Sequence, residues 1–574
     1  MLGSKASGLE LEPLRGLSIP PELSFFEAAL TGTQAPGAPP AAAPSPLAGV
    51  LPRSGGVAGS NAFAVAGSRS ASGGALLMGE FHMEVGRFPP IAYAAHLAFE
   101  SGDFLSGITI PGLSWFAAGR TARVGWSYTF AHADNVDVVV EHVKGGQYLV
   151  GDEYRPLRRR EEHVKVRGRK PETWVFHDHE YGTVLGDVEA EADRAAVRVS
   201  GLAQSYRAFA SGRRQLECDS VSDLLELQRE VRSLSLEAIL VDHHGDIASV
   251  VTGQIDQRPA FWTGAYPVPR ARLSDLDPPP VPEAQRPVCL RPESGVLVSA
   301  NQGGHGPHRD SWCSNPEPHY RFDRINELLA GRDKHVLESM IAASYDTVDL
   351  GARRLVPVWA PLLPDPALAR SLAEWSSTQQ NPELSGLFHR LHEEVCLALL
   401  AEDIGQDLAD RFREASSVVL FQYWLDEVLA LKVPELLDRE QLRALLAVAT
   451  ERAKKLPHAL PVRMRFRHLV TQGKTPTWLG FDSARVTLPG TTNTPFQCRP
   501  IPLAGEHMVY APVFHVLFDM SQRDVWYNLP GGASESRFGP GYGKGLPEWL
   551  RGELLPLGQP GSASRKRAGE AMTR

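Results

Sequence analysis

The sequence predicts an α+β protein in which stacked β-sheet precedes a long helical region. Short runs rich in β-branched and aromatic residues, separated by Gly, Pro and Asp turns, occupy residues 61–143. Apolar residues then recur at helical spacing between about residues 320 and 455, and strands return after that point. Because strands and helices occur in separate runs, they favour a layered α+β architecture over a doubly wound parallel sheet.

The individual elements can be assigned from these patterns in order. Strands are predicted in "NAFAVAG", "GALLMG", "PIAYAAHLAFE", "FLSGITI", "RVGWSYTF" and "VDVVVEHV", which indicate mostly antiparallel sheet. The segment "SVSDLLELQREVRSL" has helical periodicity and precedes a strand–turn–strand, "AILVDHHGDIASVVTG". Helices are predicted next in "YRFDRINELLAG", "FHRLHEEVCLALLAEDI" and "REQLRALLAVATERAKKL", and strands return in "HVLFDM" and "DVWYNLPGG".

Composition excludes several classes of protein. With 574 residues, 43% of them hydrophobic, the chain can bury a large core. The net charge of −8 and the interspersed basic residues argue against a nucleic-acid partner. Five cysteines without CxxC spacing indicate neither a zinc module nor a disulfide scaffold. Neither an export signal nor a run of about 18 apolar residues is visible, so we expect no membrane span, and the localisation stays open.

The segment 32–59 differs in composition from the rest of the chain. It contains almost no large apolar residues, so it cannot bury enough surface to offset its backbone entropy. We expect an exposed spacer that leaves the Gly59–Ser60 bond accessible. Residues 60–555 form the main part of the chain, and the polar residues 556–574 are expected to be a disordered tail.

Five motifs, in collinear order, resemble one protein family. They are "GSNAFAVAGSRSASGGALLMGEFHM", "ITIPGLSWFAAGRTARVGWSYTFAHADNVDV", "GVLVSANQG", "PHYRFDRINELL" and "LPGTTNT…FDMSQRDVWYNLPGG…LPEWLRGE". Together, over roughly residues 55–555, they resemble the penicillin acylase (penicillin amidase) family of N-terminal nucleophile hydrolases. The resemblance implies a four-layer α/β/β/α sandwich with an additional helical region at about 320–455, and Ser60 at the start of a central strand.

The resemblance also implies that Ser60 is a catalytic nucleophile. Family members cut themselves before a serine, cysteine or threonine, which then carries both the nucleophile and a free α-amine. A serine hydroxyl needs a base, and an α-amine with a pKa of about 7.7–8.0 can accept its proton through a water molecule. A flexible spacer before Ser60 suits a bond that must be cut. The alternative is an ordinary loop serine in a Gly-rich linker.

Four further residues are assigned to the site by the resemblance. The backbone N–H groups of His82, in "GEFH", and Phe130, after "VGW", are expected to form the oxyanion hole with the side-chain amide of Asn301, in "SANQG". Arg324, in "YRFDRINELL", is expected to orient Asn301 and the amine. Each assignment has an alternative. His82 could be an ordinary polar residue at a strand end, and Phe130 a core aromatic. Arg324 could be a solvated surface charge.

The segment "ADNVD" at 133–137 resembles the one that supplies calcium ligands in many family members. The Asp134 and Asp137 carboxylates and the Val136 carbonyl oxygen would bind the ion, since calcium prefers oxygen ligands. The ion would be structural, because the reaction requires no cofactor. Turn-forming residues between two strands are the alternative interpretation.

Only 59 residues precede Ser60, whereas family precursors carry a long α chain there. Residues 1–31 are therefore expected to be the end of an α chain. The rest of that α chain has three possible explanations. It is encoded separately, the given sequence is an incomplete reading frame, or this is a shortened relative with altered or lost activity. The predicted function is hydrolysis of a small-molecule linear amide to an acid and an amine. The alternative is an inactive or incomplete β-chain-like scaffold that needs a separate α partner.

Overall fold

The computed structural model describes residues 59–557 and 566–567. Within that range it leaves out 114, 134, 180–181, 203–211, 258–266, 271–278, 283–284, 304–316, 379, 408, 411–421, 457–459, 472 and 504–505. The predicted α-chain remnant at 1–31, nearly all of the predicted spacer at 32–59, and most of the predicted tail lie outside the described residues. The described chain mixes sheets and helices, which confirms the predicted α+β class.

The described strands lie before residue 300 and after residue 462, on either side of most of the helices. They are β1 (Gly59–Val65), β2 (Leu76–Val85), β3 (Arg87–Phe88), β4 (Tyr93–Ala98), β5 (Phe104–Thr109), β6 (Phe116–Arg120), β7 (Val124–Phe130), β8 (Val136–Lys144), β9 (Gln147–Val150), β10 (Glu153–Pro156), β11 (Arg158–Val164), β12 (Glu172–His179), β13 (Gly182–Val184), β14 (Ala192–Val199), β15 (Leu236–Asp242), β16 (Ile247–Val251), β17 (Val268–Pro269), β18 (Val288–Leu290), β19 (Val296–Ser299), β20 (Arg463–Met464), β21 (Arg467–His468), β22 (Val486–Thr487), β23 (Arg499–Leu503), β24 (Glu506–Asp519), β25 (Val525–Asn528), β26 (Glu553–Leu557) and β27 (Lys566–Arg567).

The α-helices lie mainly between the last strand of the first half and the C-terminal strands. They are α1 (Val221–Arg229), α2 (Tyr320–Ala330), α3 (Leu337–Ser344), α4 (Leu350–Trp359), α5 (Pro366–Glu374), α6 (Pro382–Ile404), α7 (Gln422–Leu429), α8 (Arg439–Lys455) and α9 (Leu546–Arg551). None of these described helices is both long and apolar enough to cross a membrane.

The first large sheet places β1 between two neighbours. Its order is β19-β1-β2-β24-β25-β26-β27, with β23 beside β24, and all of these pairs are antiparallel. Ser60 lies opposite Phe81 in the register of β1 and β2, and Gly59 lies opposite His82. β19 pairs with β1 from Ala62 onward, so the start of β1 is paired with β2 and comes close to the residues that follow β19.

The two faces of β1 pack against different partners. Ala62 and Ala64 belong to the hydrophobic core shared with Trp126 of β7 and Ile239 of β15. Those strands belong to a second sheet, of order β18-β16-β15-β7-β6-β5-β4, and α1 packs on its strands β15 and β16. A separate core places Phe63 and Val65 with residues of α2 and α3. The alternation of side chains along a strand thus buries β1 on both faces.

Two further units extend from these sheets. A third sheet, of order β10-β9-β8-β14-β13-β12-β11 with β17 beside β8, has a small core of its own. Helices α4 to α8 surround another core, which includes Trp359, Phe388 and Leu442. The predicted helical region at 320–455 is therefore divided between two cores, because α2 and α3 pack on the first sheet instead.

Local capping explains where several of these helices begin. The side chains of Asp349, Asp365, Asn381 and Asp438 accept hydrogen bonds from backbone N–H groups in the first turns of α4, α5, α6 and α8. These bonds satisfy donors that have no partner within the helix. Pro366 and Pro382 occupy the first helical positions, where a missing N–H has no cost.

Candidate active site

The predicted nucleophile, Ser60, is the second residue of β1 and is buried. Its backbone N–H donates a hydrogen bond to Oδ1 of Asn301, with 2.6 Å between the atoms. Its hydroxyl donates to the carbonyl oxygen of Gly59, and the two oxygens are 2.6 Å apart. The hydroxyl therefore lies beside the peptide bond that precedes it and is bonded to the carbonyl group of that bond.

Gly59 is confined by two polar side chains. A Cβ atom at this position would overlap Oε1 of Gln497 and would lie 3.1 Å from Nδ1 of His82. The backbone can approach these side chains this closely only because glycine has no side chain.

Asn301 connects Ser60 to its neighbours. It comes after β19 in a left-handed conformation, with φ at 68°, which asparagine adopts more readily than most residues. Its Oδ1 accepts hydrogen bonds from the Ser60 N–H and from Nη2 of Arg321 at 2.9 Å. Its Nδ2 donates to the carbonyl oxygen of Phe130 at 2.9 Å. These three bonds determine which way the side-chain amide points.

Arg321 is a site residue that the sequence analysis missed. It is buried in the first turn of α2, and its Nη1 donates to the Ser60 carbonyl oxygen at 2.8 Å and to Oδ1 of Asn61. Burial lowers the pKa of this guanidinium to about 10, although the negative charges of Glu317 and Glu80 oppose the shift. Arg321 consequently stays positively charged at neutral pH and holds three oxygen atoms around the start of β1.

The expectation that Arg324 orients Asn301 is wrong. Arg324 instead pairs with Asp346 through Nε at 2.9 Å and Nη2 at 2.8 Å, and with Glu327 through Nη1 at 3.1 Å. Three residues along an α-helix rotate a side chain by about 60° from the starting direction. That rotation directs Arg321 toward the sheet and Arg324 toward the segment after α3. The signal was present in the same motif, since "YRFDR" contains both arginines.

His82 lies beside the Gly59–Ser60 bond, as the resemblance implied. Its backbone is opposite Gly59 in the β1–β2 register. Its buried ring has Nδ1 2.9 Å from Oε1 of Gln497 and Nε2 3.3 Å from Oε1 of Glu80. Burial lowers the pKa of His82, despite the opposing effect of the Glu80 carboxylate. The imidazole is therefore neutral at neutral pH.

Glu80 is a second residue that sequence reasoning did not single out. One carboxylate oxygen accepts from Nδ2 of Asn61, and the other accepts from the Ser344 hydroxyl at 2.6 Å and lies 2.8 Å from Nε2 of His515. Burial raises the pKa of Glu80, but the charge and hydrogen bonds of His515 and His82 outweigh it and lower the pKa to about 2. The position of Glu80 two residues before His82 could have identified it, because side chains at i and i+2 share a strand face.

Phe130 reaches the site through its backbone. It ends β7, and its carbonyl oxygen accepts the Asn301 amide. The residue is 41% exposed, so it is not the core aromatic of the alternative interpretation. The described contact is made by the carbonyl oxygen, and the predicted role of the N–H as an oxyanion donor stays a prediction.

The predicted calcium segment contains an arginine-bound carboxylate. Asp137 is buried on β8, and its Oδ2 lies 3.3 Å from Nη1 of Arg198 on the adjacent strand β14. Val136 begins β8 with an exposed side chain, and Asp134 lies outside the described residues. A positive side chain thus already faces the carboxylate that the expected ion would bind.

A buried cluster in the helical core has ligand types suited to a metal, namely His392, Cys396 and Asp426. Nε2 of His392 lies 2.6 Å from one Asp426 oxygen, and the other oxygen accepts from the Tyr320 hydroxyl at 2.6 Å. These distances are those of hydrogen bonds, so the cluster is satisfied without an ion.

The structure therefore brings Ser60, His82, Phe130 and Asn301 together and places Arg324 outside the group. Arg321, Glu80 and Gln497 complete the surroundings of the Gly59–Ser60 bond. The arrangement offers a hydroxyl against a carbonyl group, an oriented amide, a buried positive charge and a neutral imidazole. These groups are suited to acyl transfer.

One family model and several characterised proteins resemble this chain. The profile of the family described as penicillin amidase matches residues 7–562. The penicillin acylase 2 proenzyme of Pseudomonas sp. strain SE83 is 24% identical over 528 residues, which cover 87% of this chain and 67% of that protein. The acyl-homoserine lactone acylase QuiP of Pseudomonas aeruginosa is 26% identical over 338 residues, covering 52% of this chain and only 37% of that protein.

A solved structure shares the fold. The thermostable penicillin G acylase from Alcaligenes faecalis superposes with a TM-score of 0.69 over 87% of this chain and 96% of its own, at 16% sequence identity. At this identity the likeness concerns the fold alone.

Proposed function

The chain belongs to the penicillin amidase family, and from this premise we propose that it hydrolyses a linear amide with Ser60 as the nucleophile. The observation that carries the proposal is the 2.6 Å hydrogen bond from the Ser60 hydroxyl to the Gly59 carbonyl oxygen. In the intact chain the Ser60 nitrogen is an amide and cannot accept a proton. The bond before Ser60 must therefore break before that nitrogen can act as a base.

We assign this cleavage to Ser60 itself. Its Oγ attacks the Gly59 carbonyl carbon, the C–N bond breaks, and the acyl group moves from nitrogen to oxygen as an ester. The nitrogen takes up the proton that Oγ loses and becomes the free α-amine of Ser60. Water then hydrolyses the ester, which releases the Gly59 carboxylate and restores the Ser60 hydroxyl. The word "proenzyme" in the name of the Pseudomonas relative supports such processing.

The same groups then act on the substrate. The Ser60 amine takes the hydroxyl proton through a water molecule while Oγ attacks the amide carbonyl carbon. The amine product leaves, and water releases the acid from the acyl-serine. The developing oxyanion is assigned to the N–H groups of His82 and Phe130 and to the second hydrogen of the Asn301 amide, whose first hydrogen bonds the Phe130 carbonyl oxygen. Arg321 keeps that amide oriented through its contact with Oδ1.

The layers around Ser60 support the finer fold assignment. Helix α1 packs on the second sheet, the second sheet packs on the first, and α2 and α3 pack on the far face of the first. We propose that these layers are the α/β/β/α sandwich that the family resemblance implied.

Intact-mass analysis of the purified protein tests the nucleophile. The wild type should yield a chain that begins SNAFAV, whereas Ser60→Ala should stay whole and inactive. Ser68→Ala is the matched control, because Ser68 is an exposed serine eight residues later, and it should be processed like the wild type. The processed protein is then assayed on p-nitroanilides with short, long and aromatic acyl groups. A wild type that stays whole would overturn the mechanism, and a processed chain without any amidase activity would favour the scaffold alternative.

A further inference from the structure

We infer that the guanidinium of Arg198 occupies the structural place that the family resemblance assigns to a calcium ion, so that this protein folds and functions without calcium. The inference concerns the third sheet and is independent of the amidase proposal.

Two buried carboxylates converge on Arg198. On β14, Arg198 lies directly opposite Asp137 of β8 in the antiparallel register. Its Nη1 is 3.3 Å from Oδ2 of Asp137 and 2.6 Å from Oδ2 of Asp256, which comes after β16 in the chain. The three side chains are almost completely buried, at no more than 6% exposure. One positive group thus neutralises carboxylates from two different parts of the chain.

The oxygens of Asp256 already have protein partners. Its Oδ1 accepts from Nε2 of Gln254 at 2.9 Å, and its Oδ2 accepts from Arg198 and from the Ser200 hydroxyl. Ser200 in turn lies 2.9 Å from Nη1 of Arg198. Both oxygens of Asp256 are thus engaged by protein donors, and the charge of Oδ2 is balanced by the Arg198 guanidinium.

The ligand set that the resemblance predicts is therefore altered at Asp137. A divalent cation bound to Asp137 would lie next to a buried guanidinium, and like charges in an interior are poorly screened. Among the described residues, the groups of three ligands close enough to share an ion contain neither Asp137 nor Asp256. The donor set fits an arginine better than a calcium ion.

The position of Arg198 indicates which part of the chain its charge stabilises. The chain runs from Phe130, at the end of β7, to Asp137 through a short segment, and the Asn135 carbonyl oxygen accepts from the Ser200 N–H at 2.9 Å. Arg198 contacts Asp137, at the end of this segment, and the hydroxyl of Ser200, whose N–H bonds Asn135 within it. It is therefore a positioning residue for the segment that leads from the candidate active site.

Calcium dependence of the wild-type protein is the primary test. The full chain is stripped with EDTA and dialysed, and its melting temperature and calorimetric titration are measured with millimolar CaCl2. We expect an unchanged melting temperature and no binding heat. A melting temperature that rises with CaCl2, or a binding isotherm of one ion per chain, would overturn the inference.

Substitution of the arginine gives the complementary result. Arg198→Gln leaves two buried carboxylates without their cation, so its melting temperature should fall by several degrees and should rise again in CaCl2. Terbium luminescence should then detect an ion that the wild type does not bind. The double variant Asp137→Asn/Arg198→Gln should recover part of the stability, because only Asp256 then remains charged, and should weaken the calcium response, which a merely structural loss of packing would not produce.

Arg194→Gln is the matched control on the same strand. Arg194 bonds the backbone carbonyl oxygens of Asp187 and Asp193 at the solvent-exposed side of the sheet. The Arg194→Gln variant should therefore have the melting temperature and the calcium response of the wild type. If Arg198→Gln melts like the wild type, or if Arg194→Gln acquires the same calcium response, the assignment to Arg198 is refuted.

Discussion

Replacement of Arg321 by lysine should separate the arginine that orients Asn301 from its neighbour in the same helix. Arg321 uses two nitrogens of one planar group to bond the Ser60 carbonyl oxygen, Asn61 and Asn301. Lysine keeps the charge but has a single nitrogen, so it cannot reproduce this fork. The bond from Nη2 to Oδ1 of Asn301 is lost, so the orientation of the amide depends only on its bonds to Ser60 and Phe130.

The size of the rate loss depends on the role of the Asn301 side-chain amide in the transition state. Loss of one oriented oxyanion donor costs about 2.7–4 kcal/mol of transition-state stabilisation, or about 10²–10³ in rate. Because Asn301 keeps its bonds to Ser60 and Phe130, we expect the lower end of that range. Arg321→Lys should therefore slow both self-cleavage and turnover by about 10²-fold.

Arg324→Lys is the matched control for this experiment. Arg324 pairs with Asp346 at partial exposure and has no described contact with Ser60 or Asn301. Its replacement leaves a single nitrogen to contact Asp346, which lowers the free energy of unfolding, but should leave catalysis unchanged. Self-cleavage is followed by intact mass over time, kcat on the best nitroanilide, and folding by circular dichroism. Wild-type rates in folded Arg321→Lys, or an equal loss in Arg324→Lys, would refute the reasoning.

Two further predictions concern the surroundings of the Gly59–Ser60 bond. The pKa of Glu80 is lowered from 4.5 to about 2, so its contribution to stability is present above pH 4.5 and is lost as the pH falls toward 2. The shift corresponds to about 3 kcal/mol. Urea unfolding should show a steeper loss of stability over that pH range in the wild type than in Glu80→Gln, and parallel curves would contradict the prediction. Gly59→Ala should slow self-cleavage, because its Cβ would overlap Oε1 of Gln497 and displace that side chain from His82. Cleavage should recover in Gly59→Ala/Gln497→Ala, as measured by intact mass, and rapid cleavage of the single variant would show that the space around Gly59 is not limiting.

The pattern of neighbouring residues was sufficient to predict most of the strands and helices near the site. The strand predicted from "NAFAVAG" is β1, and the strands predicted from "RVGWSYTF" and "VDVVVEHV" are β7 and β8. The helix predicted from "SVSDLLELQREVRSL" is α1, which begins at the capping residue Ser220. Such elements depend on side-chain periodicity and capping, which are properties of neighbouring residues.

Collinear motifs also located four residues that meet in space. Ser60, His82, Phe130 and Asn301 come from four separate segments, and the sheet register and the turn after β19 bring them together. Their chemical roles remain predictions, whereas their convergence is a property of the structure.

The tertiary structure alone decided which charged groups face one another. Arg321 and Arg324 have the same side chain and lie in the same helical segment, so only the rotation of α2 on the sheet separates them. Likewise, Arg198 lies 61 residues after Asp137, and the register of β14 on β8 places the two opposite each other. Periodicity specifies that a residue is helical or extended and which residues share a face. It does not specify how that face is turned toward a distant segment, because that choice depends on the packing of the whole core.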